Sequence, residues 1–184
     1  MRVTLGVLQT NLLLVLFFAL VLNWPIFLHF YTVLSALTHV KAGFAISIPL
    51  VLIAALNAVF IPFTFRFVLK PFFTVLLLSG SIVSYAMLKY GVIFDAGMMQ
   101  NIIETNSGEA GAYLNGSVAL WFLLTGLLPV LVLWSLRIRY PARWYQGLAL
   151  RAGVLAISLL FIGGVAALYY QDYASVGRNN KSLA

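Results

Sequence analysis

Long apolar runs without charge dominate the chain. Five windows contain no Asp, Glu, Lys or Arg, namely residues 3–40, 42–65, 71–88, 110–136 and 152–171. A helix needs about 20 apolar residues to cross a hydrocarbon core about 30 Å thick, so each window is long enough, although the third is near the lower limit. Because backbone amides find no water in hydrocarbon, such segments should be helices. The pattern predicts an all-α integral membrane domain with five transmembrane helices, near 8–28, 43–65, 71–89, 117–136 and 149–170.

Composition agrees with this architecture. The chain is 63% hydrophobic and 8% charged, whereas about a quarter of the residues in a soluble domain are charged. It has no cysteine, which excludes disulfides and thiolate metal ligands. The opening apolar run is too long for a signal peptide and lacks a small-residue cleavage site, so we interpret it as the first span.

The predicted spans divide the charges into two groups. One side carries seven basic residues and no acid: Arg2, Arg66, Lys70, Arg137, Arg139, Arg143 and Arg151. The other carries four basic residues and all four acids, which cancel. The positive-inside rule then predicts a cytoplasmic N-terminus and a C-terminus on the outer side. We interpret the basic residues as topology signals and contacts to anionic lipids, with no nucleic-acid partner.

The outer loop between the third and fourth spans, residues 90–116, is long and polar. Apolar residues recur in it at helical spacing, which predicts an amphipathic helix lying on the outer membrane surface. Asn101, Thr105 and Glu109 follow one another at intervals of four, so on a continuous helix they form a separate stripe.

Two interpretations of this stripe follow from its residues. An amide, a hydroxyl and a carboxylate suit a small cationic head group, because the carboxylate meets an ammonium and the others supply hydrogen bonds. Alternatively, the stripe is the solvated face of an interfacial helix. Residues 106–109 also resemble a capping box that starts a second helix, which would break the stripe. The spacing alone leaves both open.

Several segments resemble one family. Residues 98–110 (MMQNIIETNSGEA) and 167–180 (ALYYQDYASVGRNN) resemble the outer-loop motif and the end of the fifth helix in the phosphoethanolamine–lipid A transferases. That family includes chromosomal enzymes of Gram-negative bacteria and the mobilised colistin resistance enzymes. Residues 44–49 (FAISIP) and 70–73 (KPFF) resemble the mobilised branch. The resemblance covers essentially the whole chain.

The resemblance implies a fold, a location and a function. In the family, five transmembrane helices of the bacterial inner membrane precede a periplasmic alkaline-phosphatase-like domain with a threonine nucleophile and zinc. That domain moves phosphoethanolamine from phosphatidylethanolamine onto lipid A, which confers polymyxin and colistin resistance. The family's outer-loop Asn, Thr and Glu help to hold the ethanolamine head group, and they match Asn101, Thr105 and Glu109. The resemblance therefore favours a periplasmic head-group site, in which Thr105 is not the nucleophile.

The chain departs from the family pattern at its end. It stops at Ala184, where the catalytic domain would begin, and it has no zinc constellation. His29 and His39 are its only histidines, and we interpret both as interfacial loop residues. We therefore expect an isolated membrane domain, inactive alone, with no catalytic residue, metal or cofactor of its own. Its expected partners are phosphatidylethanolamine, lipid A, other membrane lipids and the missing catalytic domain.

Two other functions are open, a small transporter or channel and a membrane scaffold without a lipid site. Transport usually places ionisable residues inside the spans. Here only Arg151 lies away from a span end, and we expect its long side chain to snorkel towards water. We interpret Asn57 and the serine- and glycine-rich residues 79–84 as helix-packing features.

Overall fold

The computed structural model describes residues 3–35, 42–90, 116–171 and 174, and nearly all of these are helical. In chain order the elements are β1 (Thr4–Gly6), α1 (Val7–Phe17), a π-helical turn (Phe18–Leu22), α2 (Trp24–Ser35), α3 (Ala42–Phe60), a 3-10 turn (Ile61–Phe63), α4 (Leu69–Tyr90), α5 (Gly116–Phe122), a second π-helical turn (Leu123–Leu127), α6 (Leu128–Ser135), β2 (Arg137–Arg139) and α7 (Trp144–Leu168).

Four helical segments are long and apolar enough to cross a membrane: Gly43–Phe63, Leu69–Lys89, Gly116–Ser135 and Trp144–Leu168. They coincide with the second to fifth predicted spans, so the prediction of a helical membrane domain is confirmed. The first window forms two helical pieces, Val7–Leu22 and Trp24–Thr32, that meet at an angle of 51°. The number of spans is five if this bent pair counts as one.

The bend between α1 and α2 has a local cause. Pro25 has no backbone N–H and its ring clashes with the preceding turn, so a straight helix cannot pass through it. Asn23 closes the end of the first piece, since its backbone N–H and its side-chain amide both donate to the Phe18 carbonyl at 2.9 Å. The chain leaves the bend as a helix that continues to Ser35, beyond the predicted end near residue 28.

The hydrophobic core is formed where α1, the end of α3, the start of α4 and α6 meet. Aromatic rings pack edge to face at its centre, with centroids 5.0 Å apart for Phe18 and Phe60 and also for Phe60 and Phe73. Such pairs are worth about 0.5–1.5 kcal/mol beyond the area they bury. The other buried core residues are Val7, Leu14, Val15, Leu22, Leu69, Leu77, Val130 and Leu133.

A short parallel β-pair was not predicted. β1 and β2 are in register with Thr4 opposite Arg137 and Gly6 opposite Arg139. The Arg137 N–H extends the pairing, since it donates to the Val3 carbonyl at 3.0 Å. The pair joins the N-terminal segment to the link between α6 and α7, beside most of the predicted cytoplasmic arginines. We call this side of the bundle the basic end.

Candidate functional site

The polar stripe predicted to bind a lipid head group, Asn101, Thr105 and Glu109, lies outside the described residues. The structure does describe the two helices that carry this segment, because α4 ends at Tyr90 and α5 begins at Gly116. The packing of α4 against the α5–α6 helix therefore determines which end of the bundle holds the predicted site.

Near the basic end, hydrogen bonds join the start of α4 to the end of α6. The Lys70 ammonium donates to the carbonyls of Trp134 and Leu136, at 3.2 and 3.0 Å. The last carbonyls of a helix have no partner within it, so a cation is well placed there. Trp134 in turn donates its indole N–H to the Thr74 hydroxyl at 2.9 Å.

Deeper in the bundle, the same two helices are joined by hydroxyl groups. The Ser81 and Thr125 hydroxyl oxygens are buried and 2.7 Å apart. Since Thr125 uses its only proton on the Trp121 carbonyl at 2.8 Å, Ser81 is the donor between the helices. A Cβ built on Gly126 would lie only 3.1 Å from the Ser81 Cβ, so Gly126 permits this close approach without a shift of Ser81.

These contacts define an antiparallel pair in which the end of α4 and the start of α5 lie at the same end of the bundle. α4 has 22 residues, which corresponds to a length of about 33 Å at 1.5 Å per residue. Its start and the end of α6 both lie at the basic end, as the Lys70 contacts show. Residue 90 and residue 116 therefore lie at the opposite end, and the segment between them begins and finishes there.

Unpartnered polar atoms occur on three elements towards that opposite end. The buried atoms are Nε2 of His29 on α2, Oγ of Ser84 on α4 and Nε1 of Trp121 on α5, and none has a hydrogen-bond partner among the described residues. α2 and α5 both pack against α4. A buried polar group without a partner is costly, so these three atoms lower the stability of this end of the bundle.

Sequence reasoning missed these three residues. The prediction that His29 lies in an interfacial loop is wrong, since it is within α2. Its placement follows from the bend at Asn23, which lets a second helical piece extend as far as Ser35. Ser84 was interpreted as a packing residue, and no local sequence signal marks Ser84 or Trp121 as unpartnered.

The interior of the bundle contains a polar chain that joins three helices. Asn11 on α1 donates to the Asn57 side-chain oxygen on α3 at 2.6 Å, and Asn57 donates to Ser158 on α7 at 2.9 Å. Asn11 is 1% exposed. Interhelical hydrogen bonds of this kind stabilise membrane bundles, which agrees with the interpretation of Asn57 as a packing residue.

Arg151 does not snorkel as predicted. Its side chain is 7% exposed and bends towards the start of α7 and the turn after α3. Its Nε and Nη2 donate to the hydroxyl and the carbonyl of Thr64, at 3.0 and 2.7 Å, and Nη1 donates to the Gly147 carbonyl at 2.8 Å. The guanidinium also lies 4.2 Å from the Phe65 ring centroid. Three of its five N–H groups thus have protein acceptors, which hold the guanidinium inside the bundle.

The described residues do not fit a zinc site. No cluster of three or more His, Cys, Asp or Glu residues occurs within them. The chain has no cysteine, and its four acids, at positions 95, 104, 109 and 172, and one of its two histidines lie outside the described ranges. Zinc sites are built from three or four such ligands, so the described residues alone do not form one.

Comparison with known proteins identifies relatives of this chain. Residues 52–184 match the family model described as phosphoethanolamine transferase EptA/EptB. The chain is 36% identical over 140 residues to phosphoethanolamine transferase EptA of Salmonella typhimurium, covering 75% of this chain and 25% of that protein. It is 32% identical over 142 residues to phosphatidylethanolamine transferase Mcr-1 of Escherichia coli, covering 77% of this chain and 26% of that protein. The chain thus spans about a quarter of the length of these curated relatives.

A solved structure extends the match to the fold. The integral membrane protein lipooligosaccharide phosphoethanolamine transferase A (EptA) from Neisseria meningitidis superposes with a TM-score of 0.87 at 31% identity. The match covers 97% of this chain and 33% of that one. The helices, their packing and the sequence match agree: this chain is an integral membrane protein that belongs to the EptA/EptB phosphoethanolamine transferase family and corresponds to its N-terminal membrane region.

Proposed function

We propose that this chain is the membrane domain of an inner-membrane enzyme that transfers phosphoethanolamine from phosphatidylethanolamine to lipid A, a modification that confers colistin resistance. In this proposal it anchors the catalytic domain and helps to bind the donor lipid. The family match is the observation that carries the proposal. Relatives named phosphoethanolamine and phosphatidylethanolamine transferases support the substrate class.

The proposal assigns the donor head group to the loop at residues 90–116. Glu109 counters the ammonium, while Asn101 and Thr105 hydrogen-bond and orient the head group. The packing of α4 against α5 supports this, because both ends of the loop are held together away from the basic end.

The proposed orientation places the basic end in the cytoplasm and the loop in the periplasm. Basic residues in short links face the cytoplasm in most membrane proteins. Arg66, Arg137, Arg139 and Arg143 all lie in such links at the basic end. The loop would then lie at the outer leaflet, from which a periplasmic catalytic domain can take its donor. A zinc ion in that domain would supply Lewis-acid chemistry.

A transporter is less well supported. Charged groups that carry protons or ions through a membrane line an interior pathway and change partners. Within the described spans, Arg151 is the buried charged residue, and three hydrogen bonds fix it in place. A bare scaffold remains the alternative, and it predicts that changes in the loop leave lipid binding unaltered.

The test is a titration of the purified chain with phosphatidylethanolamine, with phosphatidylcholine as the control lipid because its head group has no N–H donor. Glu109→Ala is expected to weaken phosphatidylethanolamine binding about fivefold, since an exposed ion pair is worth at most about 1 kcal/mol. Glu104→Ala removes an acid from the same loop outside the stripe and is expected to bind as the wild type does. Equal binding by all three proteins would support the scaffold.

A further inference from the structure

A cavity of about 570 Å³ opens at the basic end, between the turn after α3, the start of α4 and the β1–β2 pair. Its volume is within the range of about 300–1,000 Å³ that is typical of small-ligand sites. The charged residues among the described lining are all basic: Arg66, Lys70, Arg137 and Arg139.

The four cations play different parts. Lys70 is committed to the carbonyls at the end of α6. By contrast, the guanidinium groups of Arg66, Arg137 and Arg139 are exposed and donate no hydrogen bond to another described residue. The backbone of β2 holds two of them, so their side chains contribute nothing to the pairing itself. The Arg66 guanidinium lies 5.8 Å from the Phe67 ring centroid, and the N–H groups of all three arginines are available to a ligand at this cavity.

The neutral part of the lining suits an anion as well. Tyr140 lines the cavity, and burial raises the pKa of its phenol, while the charges of Arg151 and Arg66 only partly oppose this effect. The phenol therefore stays protonated at neutral pH and can donate a hydrogen bond. Arg151 adds a positive charge behind Tyr140, and no acid is among the described residues that line the cavity.

The cavity also adjoins surface that is apolar. Phe67 is 84% exposed beside Arg66, and Trp134 on the lining is 55% exposed. Both are next to helices that cross the membrane, so an acyl chain could lie against them while the charged group enters the cavity. A soluble anion would gain nothing from these rings.

We propose that this cavity binds the phosphate of an anionic glycerophospholipid, with the arginines as bidentate donors and the acyl chains along the adjoining apolar surface. Arginine is suited to this role, because its planar fork matches two phosphate oxygens. Basic pockets between transmembrane helices on the cytoplasmic side bind such head groups in other membrane proteins. The leaflet follows from the orientation proposed above, whereas the site itself does not depend on the loop or on the transfer reaction.

The test is native mass spectrometry of the purified chain in detergent, with equal amounts of phosphatidylglycerol and phosphatidylcholine carrying the same acyl chains. We expect one phosphatidylglycerol to be retained several-fold over phosphatidylcholine. Arg66→Gln, and separately Arg137→Gln with Arg139→Gln, are expected to lower this retention about fivefold for each charge removed. All three arginines are exposed, so these variants should keep the fold.

Arg143→Gln is the matched control. It removes one exposed arginine from the same end, but this residue donates to the Tyr145 hydroxyl and does not line the cavity. We expect it to retain phosphatidylglycerol as the wild type does. An equal loss in Arg143→Gln and Arg66→Gln would show general surface attraction and overturn the proposal.

The source of the phosphate is tested by competition. Millimolar glycerol 3-phosphate is expected to leave the bound phosphatidylglycerol in place, and its displacement of the lipid would overturn the lipid assignment. Glu109→Ala should keep the phosphatidylglycerol adduct. Failure of this site and failure of the proposed donor site would therefore be seen in different variants.

Discussion

Two antiparallel helix pairs in this protein are both joined by side-chain hydrogen bonds, but only one of them buries a charged group. α3 and α7 are joined by Asn57 with Ser158 and by Thr64 with Arg151, which brings a full charge into the bundle. α4 and the α5–α6 helix are joined by neutral hydroxyls in the interior, and their charged contact, Lys70, lies at the edge.

In both pairs, threonine hydroxyls donate one hydrogen bond within their own segment and accept another from a neighbouring helix. Thr64, Thr74 and Thr125 each donate to a carbonyl three or four residues earlier in their own chain segment, at 2.7, 2.8 and 2.8 Å. Each hydroxyl oxygen then accepts from a different helix. A threonine can do this because one hydroxyl both donates and accepts. The same use of a threonine hydroxyl therefore holds Arg151 in the α3–α7 pair and joins α4 to the α5–α6 helix in the other pair.

The difference suggests separate tasks. The α3–α7 pair depends on one buried arginine with three hydrogen bonds, so we expect it to determine stability. The pair of α4 and the α5–α6 helix determines where the two ends of the segment at residues 90–116 are held, so we expect this pair to affect lipid binding as well. The variants below test this division, from the largest expected effect to the smallest.

Arg151→Met should have the largest effect on stability. It removes three hydrogen bonds from a charged donor, and we expect a loss of about 2–4 kcal/mol in the free energy of unfolding, measured in detergent. Arg151→Lys should recover less than half, because a single ammonium cannot replace the fork that meets both oxygens of Thr64.

Arg143→Met is the control for that prediction, since its guanidinium is exposed at the same end. It should change the free energy of unfolding by less than about 0.5 kcal/mol. An Arg151→Met protein as stable as the wild type would mean that the desolvation of the guanidinium cancels its hydrogen bonds. The proposed role of the α3–α7 pair would then be wrong.

The contact between Ser81 and Thr125 should have a smaller effect on stability. A double-mutant cycle with Ser81→Ala and Thr125→Val is expected to give a coupling energy of about 0.6–1.5 kcal/mol, as for other interhelical hydrogen bonds in membranes. The same variants should also weaken phosphatidylethanolamine binding, because they loosen the helices that flank the loop.

Ser79→Ala is the matched control, since the Ser79 hydroxyl is exposed and bonds only within α4. It should alter neither the free energy of unfolding nor lipid binding. Loss of stability without any loss of lipid binding in Ser81→Ala would contradict the assignment of separate tasks to the two pairs.

Hydropathy and charge were enough to predict much of the fold. Uncharged runs of about 20 residues specify helices in lipid, and four of the five predicted spans appear as continuous segments. The family was identified from short motifs such as residues 98–110 and is confirmed by the family model and the relatives. The head-group stripe stays a prediction, because Asn101, Thr105 and Glu109 lie outside the described residues.

The features that were missed depend on contacts between distant residues. The partner of Arg151 is Thr64, which is 87 positions away, and β1 pairs with a strand more than 130 positions later. Neither relation leaves a periodic pattern in the sequence. The basic cavity has the same origin, because Arg66 and Arg139 approach each other only when α4 and the α6–α7 link pack together.

The most direct test of the account is the side of the membrane on which residues 109 and 139 lie. The chain has no cysteine, so Glu109→Cys and Arg139→Cys each introduce a single thiol that a membrane-impermeant maleimide can label in intact cells. The account predicts labelling at position 109 from outside, and labelling at position 139 only after the membrane is opened. Labelling at 139 but not at 109 in intact cells would contradict it.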